Sequence, residues 1–342
     1  MSRLPTDRPR PRLLLLAPFS PAGLARVEPF AAVVYENCWE TGRIQDPEEL
    51  GKRLAAERFD AVVVETDFLF DETFAAAPGL RLAGICRAAL NQIDVEAATA
   101  RGVVVVNTPG RNALAVAEMT IGLMLALARR IPESDRYVRE GRWDSPTWPY
   151  RSLRGRELAG MNAGVVGLGA IGLRVATLCL ALGMNVLSHD PFVPDAAARS
   201  AGAEPVSLED LLRRSDIVTL HAAVPANGKP VLDATRIALL KTGALVVNTA
   251  SPTLVDYRAL SAALREGRLG GAAVDVFETH PIEPGHPLLG LENVVLTPHV
   301  GGATGETVER HSDMMAEDLG RFFAGSKPVH LVNPAVWDHR RA

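Results

Sequence analysis

The feature that most constrains the fold is a repeated alternation of short, continuously apolar runs with Ala- and Leu-rich helical stretches. Runs without polar alternation are typical of strands in parallel sheets that helices cover on both faces. The chain therefore predicts an α/β fold with doubly wound parallel sheets. The predicted strands are residues 12–19, 61–65, 80–86, 102–108, 162–169, 185–190, 217–222, 244–250, 271–277 and 293–299.

The strands form two sets, separated by a long helical pattern at residues 112–131 and a stretch rich in Pro, Arg and Trp. A chain of 342 residues is long enough for two domains. We place a hinge near residues 108–115. The last helical pattern, residues 305–325, has no strand after it, so we expect it to pack back on the first domain. The predicted domains are residues 1–111 with 306–342, and residues 112–305.

Charge and cysteine content exclude several classes of partner. The net charge of −4 gives no reason to expect a nucleic acid or an anionic membrane surface as a partner. The three cysteines, Cys38, Cys86 and Cys179, have no CxxC spacing, so neither a disulfide framework nor a zinc site is indicated. A reducing cytoplasm fits this pattern best.

The N-terminal segment resembles a signal peptide only superficially. Its apolar run breaks at Pro18, too early for a signal sequence, so we interpret the start of the chain as a polar tail before the first strand. The longest apolar helical stretch, residues 119–128, is about half the length needed to cross a bilayer. We therefore expect a soluble protein.

The segment "VVGLGAIG" contains the G-x-G-x-x-G pattern between a predicted strand and a predicted helix. In a dinucleotide site, the glycines allow a tight turn and close backbone approach to a pyrophosphate at the helix N-terminus. Asp190 ends the next strand, 18 positions beyond Gly172, where a carboxylate binds ribose hydroxyls and disfavours a 2′-phosphate. This pattern predicts that NAD is the cofactor. The alternatives are NADP as the cofactor, or a glycine-rich turn that binds no nucleotide. The predicted pyrophosphate contacts are Gly167, Gly169, Ala170, Ile171 and Gly172.

Several segments in fixed order carry a resemblance to a known family. They are "ARGVVVVNTPGRNALAVAE", "GVVGLGAIGLRVA", "LSHDPF", "SDIVTLHA", "LKTGALVVNTA", "GAAVDVF" and "NVVLTPHVGGAT". Over residues 13–337 the chain resembles the D-2-hydroxyacid dehydrogenase family. The resemblance implies a Rossmann NAD domain inserted in a flavodoxin-like substrate domain, an active site in the interdomain cleft, and a homodimer joined through the NAD domain.

The resemblance also implies roles for individual residues. His299, in "TPH", corresponds to the histidine that exchanges a proton with the oxygen of a small-molecule substrate during hydride transfer. Asp190 corresponds to the ribose-binding residue. The other implied cofactor contacts are His221, Thr249, Ala250, Asp275 at the nicotinamide amide, and Thr120 on the hinge helix.

The sequence departs from the family pattern at two single positions and in one loop. Ser251 replaces the arginine that binds the substrate carboxylate, and His280 replaces the glutamate that partners the catalytic histidine. In the substrate loop, Ala88 and Ala89 stand where glycines are common. The lost charge-assisted hydrogen bond is worth roughly 1.5–3 kcal/mol, and a histidine pair in place of a histidine–glutamate pair predicts a changed pH optimum.

Three interpretations follow. In the first, the enzyme holds its substrate through relocated arginines, Arg87 or Arg111, although either arginine could also be an ordinary surface residue. In the second, Ser251 and His280 serve an alcohol or a different carbonyl compound. In the third, catalysis has lapsed and the protein is an NAD(H)-binding sensor or partner-recruiting module. We expect no metal, because His280, His286 and His299 lack the close spacing of common zinc motifs.

Overall fold

The computed structural model describes residues 10–225 and 227–341. The predicted polar tail lies mostly at residues 1–9, outside the described residues. The chain divides into two compact units, Met1–Asn112 with Thr304–Ala342, and Ala113–Ala303. These bounds stand one and two residues from the predicted domain boundaries at residues 111 and 305.

The secondary-structure elements alternate along the chain. The strands are β1 (Arg12–Leu15), β2 (Ala32–Tyr35), β3 (Ala61–Val64), β4 (Leu82–Ile85), β5 (Val104–Asn107), β6 (Asn162–Val166), β7 (Asn185–His189), β8 (Glu204–Pro205), β9 (Ile217–Leu220), β10 (Leu245–Asn248), β11 (Gly271–Val274) and β12 (Val294–Leu296). The helices are α1 (Pro21–Val27), α2 (Cys38–Thr41), α3 (Pro47–Ala56), α4 (Asp71–Ala76), α5 (Val95–Ala100), α6 (Ala113–Ala128), α7 (Ile131–Arg139), α8 (Trp148–Ser152), α9 (Ala170–Ala181), α10 (Asp195–Ser200), α11 (Leu208–Arg214), α12 (Ala234–Ile237), α13 (Tyr257–Arg265) and α14 (Gly305–Phe323). Among the described residues, no helix is both long enough and apolar enough to span a bilayer.

The first unit contains a five-stranded parallel sheet in the order β2-β1-β3-β4-β5. Successive side chains of a strand point to opposite faces, so Leu14 joins one apolar cluster while Leu13 and Leu15 join the other. Both faces are therefore buried. Helix α14 packs against α1, as expected for the last helical pattern.

The second unit contains a seven-stranded sheet in the order β12-β11-β10-β9-β6-β7-β8, and all its strand pairs are parallel. Val246 and Val247 of β10 point into separate apolar clusters on the two faces. The chain runs outward from β6 through β7 and β8, then returns to β9 on the other side of β6. Such a switch point is where open α/β sheets bind ligands, at the carboxyl ends of the strands. The predicted doubly wound fold is confirmed.

Two strands were not expected. β2 lies at the edge of its sheet and is only partly buried, and β8 consists of two residues. The two residues of β8 form no apolar run, whereas β2 lies within the apolar run of residues 30–35, which was not assigned to a strand. The predicted runs also extend beyond the strands at their carboxyl ends: β7 ends at His189, and β12 ends at Leu296. The residues left over form the loops of the site.

Candidate active site

The glycine loop after β6 forms a backbone cradle. Gly167 has a φ of +92°, and a Cβ added there would lie 2.5 Å from the amide nitrogen of Ala222. A Cβ on Gly172 would lie 1.9 Å from the carbonyl oxygen of Gly167, so this position requires glycine. Gly169 is the N-cap of α9 and provides no side-chain cap, and a Cβ there would have no atom within 4 Å. Uncapped helix N–H groups beside open space fit the pyrophosphate of a dinucleotide.

Asp190 lies directly after β7 and connects it to this loop. Its Oδ2 accepts a hydrogen bond from the amide of Leu168 at 2.8 Å, and its Oδ1 accepts one from the amide of Phe192 at 2.8 Å. The carboxylate is only half-buried. It is therefore held in place beside the glycine loop while part of it stays accessible, as a ribose-binding carboxylate requires.

Neutral polar groups follow β9 and β10. Burial lowers the pKa of His221 to about 3, so this imidazole stays neutral, with Nε2 2.8 Å from Oγ1 of Thr219. Thr120 Oγ1 donates a hydrogen bond to the carbonyl of Val116 at 2.7 Å and lies 3.0 Å from Oγ1 of Thr249. Because the single proton of the Thr120 hydroxyl is used by Val116, the Thr249 hydroxyl donates to Thr120. The two threonines join α6 to the loop after β10.

The loop that carries Ser251 is shaped by the side chain of Asn248. Asn248 Nδ2 donates to the Ser251 carbonyl at 2.8 Å, and its Oδ1 accepts from the amide of Ala250 at 3.1 Å. The Ser251 hydroxyl lies 2.9 Å from Oγ1 of Thr253. At the position of the family arginine, the chain thus has a small neutral group bonded within its own loop.

His280 and His299 are in direct contact. Nε2 of His280 lies 3.0 Å from Nδ1 of His299, and the ring centroids are 5.0 Å apart. His299 has a φ of +57°, a left-handed conformation that is uncommon for residues other than glycine. Such conformations occur preferentially at functional sites. One imidazole must donate and the other accept, so the pair shares a single proton along this contact.

Asp275 holds the turn that carries His299. Its carboxylate accepts hydrogen bonds from Thr297 Oγ1 at 2.6 Å, the amide of Val300 at 2.9 Å and the amide of Gly301 at 2.8 Å. The side chain is 1% exposed. A Cβ on Gly301 would lie 2.9 Å from Oδ2 of Asp275, so a larger residue would disturb this turn. The expected contact between Asp275 and the nicotinamide amide stays a prediction.

In the first unit, Arg111 is committed to a buried network. Its guanidinium donates to Glu65 Oε1 at 2.5 Å and lies 2.7 Å from Nδ1 of His311. His311 Nε2 donates to the carbonyl of Pro18 at 2.6 Å. Burial, together with the positive charge of Arg111, lowers the pKa of His311 to about 4. His311 is therefore neutral at physiological pH and accepts from Arg111 through Nδ1.

Arg87, directly after Cys86 in the loop that follows β4, has a different environment. It is half-buried, burial lowers its pKa, and its Nε has no hydrogen-bond partner among the described residues. The carbonyl of the adjacent Ala88 accepts from Asn107 Nδ2 at 3.0 Å, while Ala89 is exposed.

Buried polar atoms without partners are concentrated in the loops at the carboxyl edge of the five-stranded sheet, among the described residues. Nine such atoms occur among the described residues, and five of them lie in the loops that follow β3, β4 and β5. In native proteins such groups call for an explanation, such as a bound water or a ligand. The five atoms are Glu65 Oε2, Asp67 Oδ2, Arg87 Nε, Gln92 Oε1 and Thr108 Oγ1.

Sequence reasoning did not identify the partners of Arg111. Glu65 is 46 positions and His311 200 positions away along the chain. No local motif signals these contacts. The one available sign was that Glu65 ends an otherwise apolar run, where an ionised side chain needs a partner.

The chain is similar to known proteins over most of its length. Residues 121–301 match the family profile described as "D-isomer specific 2-hydroxyacid dehydrogenase, NAD binding domain". It is 38% identical to the glyoxylate reductase of Korarchaeum cryptofilum over 331 residues, which are 96% of this chain and 97% of that protein. It is 40% identical to the D-3-phosphoglycerate dehydrogenase of Archaeoglobus fulgidus over 81% of this chain, but the match spans about half (52%) of that protein.

Solved structures show the same architecture. The TT0316 protein from Thermus thermophilus is 35% identical, with a TM-score of 0.82 over 94% of this chain and 99% of that one. The holo form of Rhodotorula graminis D-mandelate dehydrogenase is 26% identical, with a TM-score of 0.84 over 95% and 98% of the two chains. The NAD cofactor predicted from the glycine loop is thus supported by both profile and fold.

Proposed function

The chain belongs to the D-isomer-specific 2-hydroxyacid dehydrogenase family, and on that premise we propose that it interconverts a small 2-hydroxy acid and the matching 2-keto acid. The observation that carries this proposal is the His280–His299 contact at 3.0 Å. It lies beyond the carboxyl ends of β11 and β12, in the sheet whose glycine loop fits NAD. When bound, NAD supplies or accepts the hydride.

The proton moves through the histidine pair. In the oxidation direction, Nε2 of His299 takes the proton of the substrate hydroxyl while its Nδ1 proton passes to Nε2 of His280. The exposed His280 then releases a proton from Nδ1 to solvent. Both imidazoles end neutral, each with its proton on the opposite nitrogen, and the reduction direction reverses every transfer.

Arg87 is our candidate for the substrate carboxylate anchor. Arg111 supplies its donors to Glu65 and His311, whereas Arg87 Nε has no partner among the described residues. An arginine matches a carboxylate through two parallel N–H donors, which Ser251 cannot provide. Backbone amides of Ala88 and Ala89 add donors beside it, and Ser251 contributes one neutral hydrogen bond.

Asp190 supports the choice of NAD over NADP. Its carboxylate is fixed by two amides beside the glycine loop, and a negative charge there repels a 2′-phosphate. The expected cofactor contacts of His221, Thr249, Ala250, Thr120 and Asp275 belong to the same proposal.

We propose a homodimer joined through the second unit, with a second copy of the chain as the partner. The segment around α7 and α8 exposes large apolar side chains, including Trp143 at 64% and Tyr150 at 84%. Exposed aromatic clusters of this kind mark interfaces. Sedimentation velocity should give a dimer for the wild type and a monomer for Tyr150→Arg.

The three cysteines are buried and unpaired, which supports a cytoplasmic location.

The test of the proposed function is NADH oxidation by the purified protein against 2-keto acids and uncharged carbonyl compounds at several pH values. Turnover of a keto acid supports the proposal and a relocated carboxylate anchor. Turnover of uncharged carbonyls alone would indicate a different substrate class. If NADH binds and no compound is reduced, the protein is an NAD(H)-binding module, and the proposed reaction is wrong.

A further inference from the structure

Tyr257 links the two loops that follow β10 and β11. It is the first residue of α13 and is 4% exposed. Its hydroxyl donates to the carbonyl of Val276 at 3.0 Å and accepts from Nδ2 of Asn248 at 3.0 Å. Asn248 ends β10, and Val276 lies just beyond the end of β11, which pairs with β10. One phenol therefore bridges the ends of two neighbouring strands.

Each of these bonds leads to a position that departs from the family pattern. On one side, Asn248 Nδ2 also donates to the carbonyl of Ser251 at 2.8 Å. On the other side, Val276 begins the segment that reaches His280 four residues later. Ser251 and His280 are thus both connected to the same hydroxyl.

The ring of Tyr257 makes a second attachment to the same loop. His286 packs against it edge-on, with the ring centroids 5.4 Å apart, and packs against Phe277 at 5.5 Å. The His286 side chain is 8% exposed. The loop that contains His280 is therefore held at both of its ends, by the Tyr257 hydroxyl and by the Tyr257 ring.

The hydroxyl keeps its proton under all working conditions, because burial raises the pKa of Tyr257 above its usual value. Removing it would leave the Val276 carbonyl and one Asn248 N–H without this partner, in a region where both are buried. Unsatisfied buried groups drive local rearrangement, and here that rearrangement would reach both loops.

We infer that Tyr257 is a positioning residue for the reaction, one that sets the distance between Ser251 and the His280–His299 pair. This inference rests on the proposed function for its kinetic consequence. Because all the contacts involved lie within the second unit, the inference also predicts a change in the positions of His280 and His299 when no substrate is present.

The kinetic test compares Tyr257→Phe with the wild type. We expect kcat to fall about tenfold, as for a misplaced proton carrier, while the dissociation constant of NADH stays unchanged. In a double-mutant cycle with His280→Gln, the tyrosine substitution should cost little further activity, because both act through the same loop. Fully additive losses, or an unchanged kcat in Tyr257→Phe, would overturn the inference.

Ser261→Ala is the matched control. Ser261 lies on the same helix, is 3% exposed, and donates to the carbonyl of Pro287 at 2.8 Å in the same loop. The substitution therefore removes a comparable hydrogen bond to this loop, but one that does not connect to Ser251. We expect it to lower Tm and to retain kcat. Equal losses of Tm and of kcat in both variants would mean that Tyr257 has a merely structural role.

The imidazole ¹⁵N resonances of the protein without substrate separate this inference from the proposed function. Tyr257→Phe should shift the resonances of His280 and His299, and Ser261→Ala should leave them unchanged. If the wild type turns over no substrate but the resonances show this pattern, the positioning role of Tyr257 is supported and the proposed reaction is wrong. If the wild type is active but Tyr257→Phe does not shift the resonances, the proposed reaction is supported and the positioning role of Tyr257 is wrong.

Discussion

The carboxyl edges of the two sheets use charged side chains in opposite ways. At the seven-stranded sheet, Asp190 and Asp275 accept hydrogen bonds from backbone amides and hold loops in place. At the five-stranded sheet, Glu65 is paired with Arg111, while Arg87 has no partner for its Nε among the described residues. The carboxylates of the seven-stranded edge are thus fixed by backbone amides, with part of Asp190 still accessible, whereas at the five-stranded edge the Nε of Arg87 has no partner among the described residues.

Within the five-stranded edge, the two arginines separate a group that supports the fold from a group available to a ligand. A buried ionic group that the protein satisfies is destabilising to remove, whereas an unsatisfied one is available for binding. Arg87 and Arg111 were equal candidates in the sequence, and only their partners distinguish them.

The largest effect is expected at His299. His299→Ala should lower kcat by about 10²- to 10⁴-fold, the usual contribution of a general acid–base residue. The dissociation constant of NADH, measured by fluorescence titration, should change little, because the glycine loop consists of other residues. The exposed His339 provides the control variant, His339→Ala. Full activity of His299→Ala would contradict the role of His299 in proton transfer.

The two arginines should give opposite results when each is changed to glutamine. Arg111→Gln leaves Glu65 buried and unpaired, so we expect a loss of about 3–5 kcal/mol in the free energy of unfolding. Arg87→Gln should leave stability nearly unchanged and raise KM for the carboxylate substrate about 10- to 150-fold, equivalent to roughly 1.5–3 kcal/mol. Urea unfolding and steady-state kinetics of both variants decide the matter. If Arg87→Gln is the destabilised variant and Arg111→Gln the one with the raised KM, the roles assigned to the two arginines are wrong.

The pH dependence of stability should report His311. Its pKa in the folded protein, about 4, lies below the ordinary value of 6.5, so the unfolded chain takes up a proton first as pH falls. Stability is therefore full above pH 6.5 and is lost between pH 6.5 and 4, by up to ~3 kcal/mol from this residue.

His311→Gln removes that titration and should flatten the dependence in this window. The pKa of His221 is also low, about 3, but its contribution is common to both proteins and cancels in their difference. Parallel curves of unfolding free energy against pH for wild type and variant would contradict this prediction.

The smallest effect is expected from restoring the family residue at position 280. His280→Glu places a carboxylate beside His299, which favours the protonated imidazole, so reduction by the variant starts from a charged ring and not from the neutral pair of the wild type. We expect the alkaline limit of reduction to move up by about one pH unit. The pH profile of kcat for the two proteins measures this shift, with His280→Gln as the uncharged control. An unchanged profile would mean that His280 does not act on His299.

Much of this architecture follows from local pattern. Ten of the strands coincide with continuous apolar runs, and the glycine spacing located the cradle, because both depend on residues that are close together along the chain. The edge strand β8 was not predicted because two residues form no apolar run, whereas β2 was not predicted although its sequence, AVVY, is continuously apolar.

The sequence by itself determined the α/β fold, the NAD motif and the identity of the departing residues Ser251 and His280. The family resemblance already implied that His280 partners His299, and the structure places their nitrogens 3.0 Å apart. The tertiary structure alone decided that Arg111 is committed to Glu65 and that Tyr257 joins two loops. The physical reason is the range of the interactions. Strand burial and glycine turns are local, whereas hydrogen bonds and ion pairs join atoms that only the folded chain brings within about 3 Å of each other.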